Sequence, residues 1–223
     1  MFSALKVEIT TRILQIETFL NAIHGPADTG PTTAVVASPV GSTTARGLIF
    51  VELYGIWEYT LKTAVEAAIQ ELKKTGEPMR RFRLELLGLL LHTECDAVSK
   101  CVRENMWEKR MELFRQTGLS KVVSDDLPFP NDGSMYRESQ LQTIWSLFGI
   151  TSNIVPDDRL RGRIGQIVDN RNEIAHGDST AANVGCRYSV DEIRKIIAAV
   201  QDLSLHVVSQ LETHCASITN VAR

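Results

Sequence analysis

From Ala45 to Tyr59 the chain is apolar on almost every side of a helix for about four turns. A helix with no polar face has to be enclosed, either by other parts of the protein or by lipid. Glu52 and Glu58 speak against a membrane span. The segment is therefore predicted as the central helix of a bundle, running to about Lys74 before Gly76 and Pro78 stop it.

The rest of the chain supplies helices to surround it. Leu5, Ile9, Ile13, Ile16, Leu20 and Ile23 recur at helical spacing over residues 2–23, and His24-Gly25-Pro26 ends that run. Residues 25–43 are rich in Gly, Pro, Ser and Thr and read as a long flexible loop or cover. From Arg80 the sequence is Leu-rich, and helical and irregular paths both fit. The charged half around Trp107 to Arg110 predicts a helix ending at Gly118. Asp125 to Gly133 is a loop whose aspartates, Asp125, Asp126 and Asp132, suit either a cation or a solvated turn. Leu141, Ile144, Trp145 and Phe148 mark a short helix over 138–148, closed by Gly149. The last helix opens on Ser189 and Glu192, spaced as a capping box, and carries Ile193, Ile196, Ile197, Val200, Leu203, Val207 and Leu211 on one face. No strand alternation or internal repeat intervenes. The expectation is an all-α bundle of about five to seven helices in a single domain, 1–223, with an N-terminal helix at 1–23, a loop at 25–43 and a helical core at 45–218.

Between the last two helices lies Arg171-Asn172-Glu173-Ile174-Ala175-His176, followed by Gly177 and Asp178. At about 100° per residue, Ile164, Ile167, Val168, Ile174 and Ala175 form one stripe, with Arg171 in its middle. A guanidinium there needs a carboxylate, a cluster of carbonyls or a subunit boundary. Glu58 is one candidate partner, although Glu58 and Lys62 also have the order of an ordinary i,i+4 surface pair. His176 falls about 140° from Arg171 on a regular helix, so convergence would require Gly177 to end the helix and free the imidazole. His176 is equally placed to cap the helix end.

The net charge of −3, with 43% hydrophobic and 23% charged residues, describes an ordinary folded protein without a global basic field. Nucleic-acid affinity would need a local patch. Arg159, Arg161 and Arg163 are the best candidates, and a solvated helix start is the alternative. The cysteines, Cys95, Cys101, Cys186 and Cys215, lack zinc-site spacing and read as reduced thiols. Charges among the first residues (Lys6, Glu8, Arg12) do not suit a cleavable leader, so a cytoplasmic location is expected.

The helix from Ala45 to Tyr59, the element from Trp145 to Gly149, and Arg171-Asn172 followed by Ile174-Ala175-His176-Gly177 together resemble the HEPN superfamily, in particular stand-alone prokaryotic members of toxin and phage-defence systems. The resemblance covers most of the chain from about residue 45 and leaves residues 25–43 and 118–136 unmatched. It implies a metal-independent endoribonuclease needing no cofactor and acting on RNA from a homodimer, paired through the face carrying Arg171 and His176. His176 would be the general base or acid, Arg171 would bind the phosphate, and Asn172 and, less firmly, Glu173 would support them. An antitoxin or other regulatory partner protein would fit such a system, whereas a membrane partner would not. The resemblance also admits a non-catalytic module that binds RNA, a nucleotide or a partner protein.

Overall fold

The buried stripes predicted above assemble into helices stacked on one long central rod. The computed structural model describes residues 1–24, 39–78, 81–118, 127, 129–130 and 136–221. Among these residues there are nine α-helices and no strands. They are α1 (Phe2–His24), α2 (Pro39–Lys74), α3 (Leu84–Leu90), α4 (His92–Lys100), α5 (Met106–Gly118), α6 (Glu138–Phe148), α7 (Arg161–Ala175), α8 (Ala181–Gly185) and α9 (Val190–Val221). Six run to eleven residues or more, and α3, α4 and α8 are short additions to the expected set. No helix among the described residues is long and apolar enough to cross a membrane.

α2 is the central rod, touched by α1, α7, α8 and α9. Phe50, Leu53, Leu61, Ala64 and Val65 are buried along it, which is why its apolar surface extends round the helix. α1 and α9 lie against α2 and each other, with every predicted α9 stripe residue from Ile193 to Leu211 buried. The Ser189–Glu192 box caps α9: the Glu192 carboxylate accepts from the Ser189 amide at 2.7 Å, and the Ser189 hydroxyl accepts from the Glu192 amide at 3.2 Å. Gly149 closes α6 in the left-handed conformation, with φ 68°.

The structure corrects the sequence reading at the start of the central helix. α2 begins at Pro39 rather than Ala45, so residues 39–43 are helical and not loop. Pro39 suits a first helical position, and the hydroxyls of Thr43 and Thr44 donate to the carbonyls of Pro39 (3.2 Å) and Val40 (2.8 Å). The hydroxyls that suggested a loop are thus satisfied within the helix. The open question over the Leu-rich stretch resolves as helix from Leu84 to Lys100: α3 and α4 meet at Leu91, and Leu86, Leu87, Leu89, Leu90 and Leu91 are buried. Residues 25–38 of the predicted loop, and the aspartates Asp125, Asp126 and Asp132, lie outside the described residues.

Candidate functional site

α7 delivers the Arg171-to-His176 segment to one end of the bundle, where its exit is tightly specified. α7 ends at Ala175; His176 is the cap residue with right-handed backbone (φ −86°, ψ −6°), and its amide donates to the Asn172 carbonyl at 2.9 Å. The reversal comes at Gly177, whose φ of 78° a side chain would disfavour. The Ser179 amide then reaches back to the Glu173 carbonyl at 3.0 Å, and the Thr180 hydroxyl caps α8 by accepting from the Asn183 amide at 3.1 Å.

α8, which the sequence reading did not anticipate, holds this turn against α2 by backbone contact. A Cβ on Gly47 would stand 1.9 Å from the Ala181 carbonyl oxygen, and one on Gly185 would stand 1.9 Å from that of Thr43. Two glycines therefore set how closely the motif's exit approaches the central rod. Gly47, in an otherwise side-chain-rich helix, and the small residues Ala181, Ala182 and Gly185 were the available signals.

Arg171 does not occupy the middle of the buried stripe. Ile164, Ile167, Val168 and Asn170 are buried, Arg171 and Ile174 are half-buried and Ala175 is exposed, so the packed face drifts toward Asn170 along the helix. Asn170 is what anchors this turn: its amide donates to the Gln166 carbonyl (2.7 Å) and to the Tyr188 hydroxyl (2.9 Å). Tyr188 in turn packs on Phe50, with ring centroids 4.9 Å apart. Left at the margin, the Arg171 guanidinium lies over the ring of buried Tyr54, 4.5 Å from its centroid, and donates from Nη1 to Oδ1 of Asn172 at 3.1 Å. Such a cation–π contact contributes about 1 kcal/mol at a half-exposed site. Burial first, and Glu58 second, hold the Tyr54 phenol above its ordinary pKa. Of the partners sought from the sequence, a carboxylate, a cluster of carbonyls or a subunit boundary, the described residues of the protomer bring instead an aromatic face and a side-chain amide. Tyr54, a polar-tipped residue among apolar ones on α2, was the overlooked signal.

Glu58 is not the partner of Arg171. It pairs with Lys62 at 2.6 Å, the i,i+4 alternative. Glu173 turns away to Arg187, 2.8 Å distant, bracing α7 against the segment that leads into α9. The three arginines at the start of α7 are unequal. Arg159 is bound to Asp157 (2.8 Å), and Arg161 to Glu138 and to Asp158 (3.1 Å), which cancels much of their charge. Among the described residues, Arg163 donates to a neutral partner, Gln166, at 2.8 Å. It lines a groove of about 670 Å³ with Arg159, Lys195, Asp202 and His206. His176 is exposed, and its imidazole has no hydrogen-bond partner among the described residues. With right-handed backbone kept through His176, Arg171 and His176 leave α7 about 140° apart and do not converge within one protomer.

Among the described residues, no group of three or more His, Cys, Asp or Glu side chains is arranged to hold a metal ion. Cys95 and Cys186 are exposed, while burial pushes the Cys215 thiol up to about 12.

Residues 8–218 match the family model described as HEPN_MAE_28990-like HEPN. No curated protein and no solved structure matches the chain.

Proposed function

The chain belongs to the HEPN family, and from that premise we propose that it is a metal-independent endoribonuclease, a toxin or defence effector, acting as a homodimer. One observation carries the proposal. Among the described residues, Arg171 is held by neutral partners, the Tyr54 ring and Asn172, so no carboxylate among them cancels its charge at the protein's margin, five positions before an exposed His176.

In this reading Arg171 binds a non-bridging oxygen of the scissile phosphate and stabilises the charge that grows there. His176 removes the proton from the adjacent ribose 2′-hydroxyl. The 2′-oxygen bonds to phosphorus as the bond to the 5′-oxygen breaks, and the departing oxygen takes up a proton. The products are a 2′,3′-cyclic phosphate and a 5′-hydroxyl. Asn172 fixes the guanidinium, and Glu173 acts at a distance by bracing α7 through Arg187. Two copies facing each other would bring the arginine of one toward the histidine of the other, which a single helix does not do.

The test is incubation of the purified protein with mixed cellular RNA in excess EDTA, with analysis of product ends. Cyclic-phosphate ends are expected from the wild type. Arg171→Ala is expected to lose about 10²- to 10³-fold in rate, and His176→Ala about 10²- to 10⁴-fold. Intact RNA in the presence of a folded dimer, or DNA cut as fast as RNA, would overturn the proposal. The divergence of Arg171 and His176 in one protomer favours a second reading, a non-catalytic module binding RNA, a nucleotide or a partner protein. Tight RNA binding without turnover by a strict monomer would establish that reading instead.

A further inference from the structure

The ring beneath Arg171 is anchored in the core. Tyr54 lies on the central rod α2 and is 4% exposed. Its ring meets that of Tyr136 with centroids 6.3 Å apart, and Tyr136 packs in turn on Phe129 at 5.7 Å. The Tyr136 backbone is itself tied to α2, because its carbonyl accepts from the Trp57 indole at 2.7 Å. Tyr54 therefore has little room to turn, and the face under Arg171 has a fixed position. From the other side, Asn170 pins α7 through the Gln166 carbonyl and the Tyr188 hydroxyl. The arginine is thus located at both ends, its backbone by α7 and its guanidinium by α2, 4.5 Å from the ring centroid.

An aromatic face holds a cation differently from a carboxylate. A carboxylate occupies the N–H fork and cancels the charge, whereas the ring attracts the guanidinium through its quadrupole and leaves the fork pointing outward. Glu58, one turn beyond Tyr54 on α2, is the carboxylate placed to compete, and Lys62 engages it at 2.6 Å. Among the described residues, Asn172 Oδ1 takes an N–H from Arg171 Nη1 at 3.1 Å, and the Tyr54 ring takes none. An arginine gives up the freedom of several torsions when it grips an anion, and one already seated on a fixed ring has lost part of that freedom beforehand. We infer that Tyr54 is a positioning residue: its buried ring presets the Arg171 guanidinium, with its charge intact, for a phosphate oxygen of RNA. The inference rests on the RNA reading above and gives Tyr54 no contact with the substrate.

The experiment uses the full chain with Tyr54→Phe, Tyr54→Leu, Arg171→Ala and Tyr54→Leu combined with Arg171→Ala, together with a protein carrying trifluorinated phenylalanine at position 54. Each is checked by circular dichroism. Affinity for a short 2′-O-methyl RNA, which cannot be cleaved, is measured by fluorescence anisotropy, and cleavage of ordinary RNA in EDTA is followed at saturating RNA. Tyr54→Leu is expected to weaken RNA binding about three- to tenfold and to slow cleavage, while Tyr54→Phe, which keeps the ring, restores affinity to within about twofold of wild type. Fluorination withdraws electron density from the ring face at nearly constant shape and is expected to weaken binding toward the Tyr54→Leu level. A role in packing alone would not produce that change. In the Arg171→Ala background Tyr54→Leu adds no further loss, because the ring acts through the guanidinium. If Tyr54→Leu fails to fold, the fluorinated ring compared with Tyr54→Phe carries the test. Affinity and rate that do not respond to the ring, or a Tyr54→Leu loss that persists undiminished in the Arg171→Ala background, would overturn the inference and leave the nuclease reading standing. A wild type that neither binds nor cuts RNA would overturn that reading, and the role of Tyr54 with it. RNA bound but not cut, with the same dependence on the ring, upholds the inference for a binding module.

Discussion

Trp57 and Trp107 are the same residue type on two helices of one molecule, with opposite fates: the first is 2% exposed and the second 70%. α2 is crossed by α1, α7, α8 and α9, whereas α5 rests on α4 and the short 3-10 turn at Arg103–Asn105, and none of its described residues is buried. The Trp57 indole donates to the Tyr136 carbonyl at 2.7 Å, whereas Trp107 carries the Arg110 guanidinium 5.2 Å from its ring centroid. Apolar residues at helical spacing therefore mark a face able to be covered. Whether it is covered depends on how many other elements the chain brings to it.

The largest expected effect sharpens that contrast. Trp57→Ala should cost about 3–5 kcal/mol, from the cavity and the lost hydrogen bond together. Chemical denaturation checks it, and a loss below about 1 kcal/mol would mean that α2 is not the central rod. Next is Gly47→Ala, expected to cost about 3 kcal/mol, because the new Cβ must push the Ala181 backbone away from 1.9 Å. The same variant should loosen the turn after His176, seen as faster amide exchange at Gly177 to Asn183.

A smaller effect concerns pH. Burial lowers the pKa of both His24 and His214, so the fold favours neutral imidazole while the unfolded chain titrates near the ordinary 6.5. Their contribution is complete above that pH and is lost as pH falls through the lower folded-state values. Urea midpoints should therefore decline below about pH 6.5, and the paired substitutions His24→Asn and His214→Asn should flatten the decline. An unchanged slope would remove both residues from the acid response. The smallest effect is Trp107→Ala, expected within about 0.5 kcal/mol of wild type. A loss like that of Trp57→Ala would show that the α5 face is covered after all.

Much of the scaffold was legible because it rests on local periodicity. α1, α6, the body of α2 and the α9 stripe follow from apolar spacing, and the capping residues Ser189, Glu192 and Gly149 end or begin helices by short-range hydrogen bonds and backbone freedom. The start of α2 at Pro39 was misread because hydroxyl-rich composition suits a loop as well as a helix. The helix prevails where Thr43 and Thr44 bond internally and α8 packs alongside. At the candidate site, the sequence picked out Arg171 and His176 but misplaced their surroundings. Glu58 went to Lys62, Glu173 to Arg187, and Arg171 to Tyr54, more than a hundred positions earlier in the chain.

By itself, then, the sequence determined an all-α chain with a mostly buried central helix and an Arg-x-x-x-x-His segment ending in glycine, because those features depend on residues within a turn or two of one another. Tertiary structure decided what Arg171 meets. Arg159 and Arg161 find Asp157 and Asp158 two and three residues away in the sequence, and packing adds Glu138 only to Arg161, whereas Arg171 lies on the ring of Tyr54, which the distant helix α2 supplies. A long-range partner of this kind is set by what lies within a few ångströms in space, which local spacing does not encode.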